Sequence, residues 1–378
     1  MIRRIFHNGP ILTERGFEHG LRVVVEDGCI VEVAAGGAQE ADETIDLGGR
    51  HLAPGFIDIQ VNGGGGVLFN NSPTTEAIAT IGRAHRRFGT TAFLPTLISD
   101  TGAAMELAIS AVRHAITQGV PGVLGIHLEG PYLAPARKGT HEEAMFRVPD
   151  ARDAERATSL GNGITLITLA PERVPAGILR LMAQRGAILC AGHTAASCAE
   201  IEAGLRAGIT GFTHLFNAMS PLQGREPGAV GAALADAESW CGVIVDGAHV
   251  HPTSLRVALA AKPRGKVILV TDAMPMVGSA DPSFRLYDQT ITAIDGVVRN
   301  ATGALAGSAL DMASAVRNTV ALVGVPLDEA CRMASQYPAR FLGLDARMGR
   351  IAPGCRADLV AFDEDVRIHR TWIAGEAD

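Results

Sequence analysis

Val123-Leu-Gly-Ile-His-Leu-Glu129-Gly-Pro131 is the stretch whose reading decides the fold. A hydrophobic run that ends on a carboxylate and breaks at once at Gly-Pro reads as a buried strand delivering an acid to a rim. Three more runs end the same way: Ala187–His193, Ile209–His214 and Lys266–Asp272. Gly55–Val61, Thr90–Pro95, Ile164–Leu169 and Gly242–Asp246 complete a set of eight candidate strands. Helical patterns lie between most of them: Gly102–Gln118, Pro175–Arg185, Ser197–Ala207, Thr253–Ala261, and a helix toward Phe88 opened by Ser72 as N-cap and Pro73 as first residue. Strands alternating with helices in this way predict an α/β protein built on a (β/α)8 barrel. An open doubly wound sheet fits less well, because a closed ring can gather chemistry from many strand ends and an open sheet cannot.

The two ends of the chain differ from its middle. Leu21–Val33 reads as a hairpin around Asp27-Gly28, and Asp358–Asp363 and Arg367–Gly375 are short β-rich runs. A small β domain drawn from both termini, residues 1–52 plus 350–378, is therefore expected to flank a barrel domain of residues 53–349. Residues 273–310 interrupt the alternation. Asp281–Asn300 reads as an inserted hairpin turning at Asp295-Gly296, and Thr302–Ser308 leads into a helix over Asp311–Val323.

The chain has 378 residues, 47% of them hydrophobic, which is ample for a large core. A net charge of −7 with no run of Lys or Arg argues against nucleic-acid or membrane-surface binding. No apolar stretch spans a bilayer, and the N-terminus lacks the apolar core of a signal peptide. The six cysteines show no C-x-x-C pair, so they read as buried thiols in a reducing cytoplasm.

Spacing organises the chemistry. Glu129, His193, His214 and Asp272 fall at the ends of strands 3, 5, 6 and 8, on the face where such barrels hold their sites. Singly, each reads as a hydrogen-bonded strand end or a turn former; together they point to one centre. Glu plus two His is a common catalytic zinc set that leaves a position for water, and a separate carboxylate can move protons.

The motifs also resemble a known family. Pro54-Gly-Phe-Ile-Asp58 is similar to the opening strand of the amidohydrolase superfamily. Gly125–Tyr132, Ala191-Gly-His-Thr194, Thr213–Met219, Asp246-Gly-Ala-His249, Leu269–Ala273 and Leu305-Ala-Gly-Ser308 together resemble its N-acetylglucosamine-6-phosphate deacetylases, in order, from about residue 50 to 355. The resemblance implies a distorted (β/α)8 barrel with a small β-sandwich domain. It implies hydrolysis of the acetamide of N-acetyl-D-glucosamine 6-phosphate, with Glu129, His193 and His214 as metal ligands and Asp272 as acid/base. One divalent metal is expected, Zn2+ by its donor set, although Fe2+, Co2+ or Mn2+ suits the same ligands. The resemblance assigns Arg225 and His249 to the substrate phosphate, with the pocket completed across a homodimer interface, and brings Asn217 and Ala218 to the substrate. His141, on its own an exposed loop residue, is implied to contact the substrate near the amide.

One departure is informative. Where many superfamily members carry His-x-His, this chain has Gln60-Val-Asn62, and neutral amides are poor zinc ligands. A single metal follows, with Gln60 orienting water or substrate and Asn62 open between a role at the site and a simple polar strand end. Gly63–Gly66 reads as a turn near the site, and His127 as a core or supporting residue. The competing readings are N-acetylgalactosamine 6-phosphate as substrate, a cyclic-amide hydrolase, and a non-catalytic dimeric scaffold. The cyclic-amide hydrolases favour His-x-His and a bridging Lys, yet strand 4 here runs into Ala170-Pro-Glu172 with no Lys. A scaffold predicts loss of a metal or acid residue, and all four are present.

Overall fold

The structure, a computed structural model, describes residues 2–36 and 40–377. Eight parallel strands follow one another in chain order around one sheet. They are β1 (Phe56–Val61), β2 (Thr90–Ile98), β3 (Gly125–Glu129), β4 (Ile164–Leu169), β5 (Ile188–Ala191), β6 (Ile209–Phe212), β7 (Trp240–Val243) and β8 (Val267–Leu269). Nearly every strand residue is buried, because helices cover the outer face and side chains fill the interior. β8 forms no ladder with β1. The ring closes beyond β8, at the rim, where Asp272 N–H donates to the Gln60 carbonyl and Asn62 N–H to the Ala273 carbonyl, both at 3.0 Å. This seam is the barrel's distortion, and it draws the residues after β8 against the end of β1.

Local chemistry sets the helix starts. Ser197 and Glu200 form a capping box before the helix Cys198–Arg206, and Thr101 caps Gly102–Thr117. The helix after β1 begins at Thr75 with Thr74 as its cap, two residues beyond the expected Ser72-Pro73 start. Ser72 N–H is instead committed to the carbonyls of Leu68 and Phe69 in the preceding turn.

Both termini build β-structure. A four-stranded sheet joins Cys29–Ala35, Leu21–Glu26, Arg3–His7 and Glu43–Asp46. In a six-stranded sheet, Leu359–Phe362 pairs with His51–Pro54, so the C-terminal and N-terminal segments share one ladder. Phe6, Ile11, Leu52, Leu359 and Trp372 form a separate core here. Asp27 and Gly28 both have positive φ, +47° and +79°, as a two-residue turn between right-twisted strands requires.

The insertion differs from the expected hairpin. It is a three-stranded antiparallel sheet, Ser283–Leu286, Gln289–Ile294 and Val297–Arg299. Its first turn places Tyr287 at φ +51° with no glycine to signal it in the sequence. Phe284, Leu286, Ile291 and Val298 pack on Met274 and Ile98 at the barrel rim. The helix expected over Asp311–Val323 runs as an α-helix from Met312 to Asn318, capped by Asp311, and widens into a π turn over Thr319–Val323. No helix among the described residues is long and apolar enough to cross a membrane. All six cysteines are free; four are buried, whereas Cys29 is exposed and Cys198 partly so.

Candidate metal centre and active site

Glu129 is the last residue of β3, but the other three candidates lie past their strands. His193 and His214 sit two residues beyond β5 and β6, and Asp272 three beyond β8. The strands stop short of the expected His193, His214 and Asp272 because the backbone there turns left-handed, with φ of +48°, +34° and +53°. Phe216 and Ala218 share this conformation at +79° and +50°. A non-glycine residue at positive φ cannot continue a ladder and costs ~1–3 kcal/mol where the backbone is strained. Five such residues within the rim loops are held by the surrounding packing, and they bend these loops over the barrel mouth.

The three expected ligands meet at a point. Glu129 Oε1 lies 3.1 Å from His193 Nε2 and 2.9 Å from His214 Nε2, and the two imidazole nitrogens are 3.2 Å apart. These spacings approach the ~3.3 Å edge of a tetrahedron with ~2.0–2.1 Å metal–ligand bonds. Among the described residues this is the one cluster of His, Cys or carboxylate groups that can hold a metal ion. The wall behind it fits the same purpose. His193 Nδ1–H donates to the Arg137 carbonyl at 2.9 Å, so the Nε2 lone pair faces the centre, as a ligand histidine requires. Burial alone would raise the Glu129 carboxyl, but the two imidazoles beside its Oε1 hold it well below the usual carboxylate range. Against the effect of burial, the Glu129 carboxylate 2.9 Å from its Nε2 lifts His214 above the ordinary imidazole value.

Asp272 stands beside this centre, across β1. Its Oδ1 accepts from Asn62 Nδ2 at 2.6 Å and from Gln60 Nε2 at 3.3 Å, and the Gln60 amide also reaches Glu129 Oε1 at 3.2 Å. Both amides thus give their N–H groups to carboxylates, and of the two readings open for Asn62 the contact with Asp272 favours a role at the site. Burial, reinforced by the charge on Glu129, pushes the Asp272 carboxyl up to about 6.

A cavity of about 530 Å3 opens over the cluster, lined by His141, His249, Asn217 and Ala218 as well as by the four rim residues. This volume suits a small polar ligand. His141 is 4% exposed, not the exposed loop residue its neighbours suggest. Burial, then the nearby His193, depress it to about 3, so its ring is neutral. His249 Nδ1 lies 2.6 Å from Asp246 Oδ2, and Asp246 Oδ1 accepts the backbone N–H groups of Ala248 and His249. Arg137 and Lys138 line the cavity too and escaped the sequence reading. Arg225 does not line it: it sits on an exposed loop over residues 221–226. Gly63 and Gly64, expected in a loose turn, form a short buried strand pair with Val67 and Leu68. His127 is buried below the centre, bonded to Thr168 Oγ1 at 2.7 Å.

Asp58 supports the rim from within. It is fully buried, two residues before Gln60, and accepts from the Gln60 and Thr271 backbone and from the Thr271 hydroxyl. Burial pushes its carboxyl up to about 7. Below the unfolded value near 4 both states carry the proton, so Asp58 contributes no pH dependence. As pH rises from about 4 to about 7 the unfolded chain releases the proton first, and the native state loses up to about 4 kcal/mol. Asp58→Asn is expected to flatten the fall in melting temperature over this range. An unchanged pH profile would show that Asp58 ionises normally in the fold.

Comparison with known proteins places the chain. Residues 51–377 match the amidohydrolase family, and the chain belongs to it. An N-acetylgalactosamine-6-phosphate deacetylase from Shewanella sp. (strain ANA-3) is 43% identical over 378 residues, covering 98% of this chain and 95% of that protein. The crystal structure of N-acetylglucosamine-6-phosphate deacetylase from Pasteurella multocida superposes with a TM-score of 0.96 at 35% identity, covering 100% of this chain and 99% of that one. A mutant of the Mycobacterium smegmatis N-acetyl-D-glucosamine-6-phosphate deacetylase, in complex with N-acetyl-D-glucosamine-6-phosphate, gives 0.93 at 32% identity, with coverage of 100% and 99%. The family resemblance and the distorted barrel read from the motifs are both borne out.

Proposed function

We propose that the chain hydrolyses the acetamide of an N-acetyl-D-hexosamine 6-phosphate to the amino sugar phosphate and acetate. The observation that carries this reading is the Glu129–His193–His214 cluster facing Asp272 across one cavity. Glu129, His193 and His214 would hold a divalent cation, Zn2+ by their chemistry, which when bound would supply the Lewis acidity that lowers the pKa of water at the site. Asp272 takes the proton of the attacking water and delivers it to the departing amine nitrogen. Asn62 and Gln60 fix the carboxylate for both transfers by holding Oδ1. Neutral His141 donates to the amide oxygen as it gains charge. Asn217 and the Ala218 backbone position the sugar, and His249 binds the phosphate with Asp246 behind it.

Arg225 completes the phosphate site in a homodimer. Its exposed loop lies outside its own cavity, which is the placement expected of a residue that reaches a partner's site. The division into a terminal β domain, 1–52 plus 350–378, and a catalytic barrel, 53–349, belongs to the same reading. So does a cytoplasmic location, which six free cysteines suit.

Two epimers compete as substrate. The motifs favour the gluco sugar, whereas the 43%-identical relative favours the galacto sugar. A cyclic-amide hydrolase is disfavoured by Gln60 and Asn62, whose amides are spent on carboxylates. Acetate release from both phosphorylated epimers and both unphosphorylated sugars tests the reading. Release from at least one phosphorylated epimer is expected, and none from any of them would overturn it. Arg225→Ala is expected to raise KM for the phosphorylated sugar about 10- to 100-fold with little change in kcat, while leaving the unphosphorylated sugar unaffected. An unchanged KM removes Arg225 from the phosphate site.

A further inference from the structure

Ser99 follows the last residue of β2, is 1% exposed, and has no role in the reading above. Its backbone N–H lies 3.3 Å from Nδ1 of His141, and its hydroxyl lies 2.8 Å from the same nitrogen. A backbone N–H can only donate. His141 Nδ1 is therefore an acceptor, and the single proton of the neutral ring sits on Nε2. Nδ1 is occupied by the wall, so Nε2–H is turned to the cavity that His141 lines.

The neighbouring histidines have the opposite anchors. His193 Nδ1 meets a carbonyl and His249 Nδ1 meets a carboxylate, so in both of these Nδ1 carries the proton. The His141 and His193 rings are only 4.4 Å apart. With its proton on Nδ1, His141 would present a lone pair to the cavity and could not donate to a ligand oxygen there. With its proton on Nε2 it can only donate.

We propose that Ser99 is a positioning residue that fixes His141 as the Nε2–H tautomer, making it a hydrogen-bond donor in the cavity. Ser99 is itself held firmly. Its carbonyl accepts from the Tyr287 hydroxyl at 2.8 Å, and the preceding Ile98 pairs with Glu129 in the barrel. The inserted three-stranded sheet thereby helps hold the residue that sets the His141 tautomer. The donor role of His141 toward an amide oxygen rests on the hydrolase reading; its tautomer does not.

The test uses the full-length chain, labelled with 15N-histidine and loaded with Zn2+. Two-bond proton–nitrogen correlation spectra distinguish the neutral tautomers, and His141→Gln assigns the signal. The wild type is expected to show His141 as Nε2–H. Ser99→Ala removes the shorter of the two bonds, so a mixture of tautomers is expected, with kcat about tenfold lower and KM little changed. Ser99→Thr, which retains a hydroxyl, is expected to restore both readouts. A wild-type signal of Nδ1–H overturns the proposal, as does a Ser99→Ala enzyme that loses turnover with the tautomer intact. The spectra need no substrate, so failure of the hydrolase reading alone leaves them interpretable.

Discussion

An Asp272→Asn enzyme is expected to keep its fold and its metal while kcat falls about 10^4-fold or more. The substitution is close to isosteric, and the asparagine carbonyl can still accept from Asn62 Nδ2, which holds Asp272 Oδ1 at 2.6 Å. What disappears is the ability to take and return a proton. One positioned proton transfer is worth about 10^2–10^4 in rate, and this carboxylate is assigned two. KM is expected to change little, since Asp272 is asked to act on protons rather than to hold the sugar. The pH profile gives an independent check. Burial and the Glu129 charge push the carboxyl up to about 6, and only its ionised form is a base. Activity is therefore lost as pH falls through this value, or through a lower one once a bound cation stabilises the carboxylate. The residual rate of the asparagine variant should lack this acid limb. Full turnover by Asp272→Asn, measured as acetate release beside metal content, would remove Asp272 from the proton path.

The rim carboxylate and the histidines were legible because their signal is local. Each ends a hydrophobic run, and run length fixes position along a strand to within a few residues. The runs nevertheless overstate the strands after β5, β6 and β8, because a left-handed residue leaves no composition mark unless it is glycine. Residues that act on other residues were harder to read. Asn62 bonds Asp272 across 210 positions, and Ser99 meets His141 across 42. No periodicity links such pairs; the closure of the ring at the β1–β8 seam and the return of the loop after β3 bring them together. His141 looked exposed because Lys138-Gly-Thr-His-Glu142 is polar, yet the loop folds back and buries the ring against His193. Asp246 had a faint signal in Asp246-Gly-Ala-His249, whose spacing lets one side chain cap the turn and grip the imidazole.

Glu129→Gln is expected to strip the metal. The cluster holds one carboxylate between two imidazoles, so in the proposed ligand set Glu129 would be the only anionic group to meet a cation. A neutral amide keeps the size but loses the charge, and its N–H2 group can turn toward the imidazole lone pair that should face the metal. Disturbing groups that merely support a ligand already costs about 10- to 100-fold in affinity, so loss of the ligand charge should exceed about 100-fold. Activity alone cannot report this, because Glu129 also raises the Asp272 carboxyl, and its removal alters both functions at once. Metal content after dialysis separates them: about one metal per wild-type chain is expected, and close to none in the variant. Thermal stability supplies a second readout. A ligand present at 100 times its Kd stabilises the native state by about 2.7 kcal/mol, so added Zn2+ should raise the wild-type melting temperature and leave Glu129→Gln nearly unmoved. A variant that stays fully loaded through dialysis would mean that His193 and His214 suffice to hold the ion, and that Glu129 serves the site chiefly through the charge it sets on Asp272.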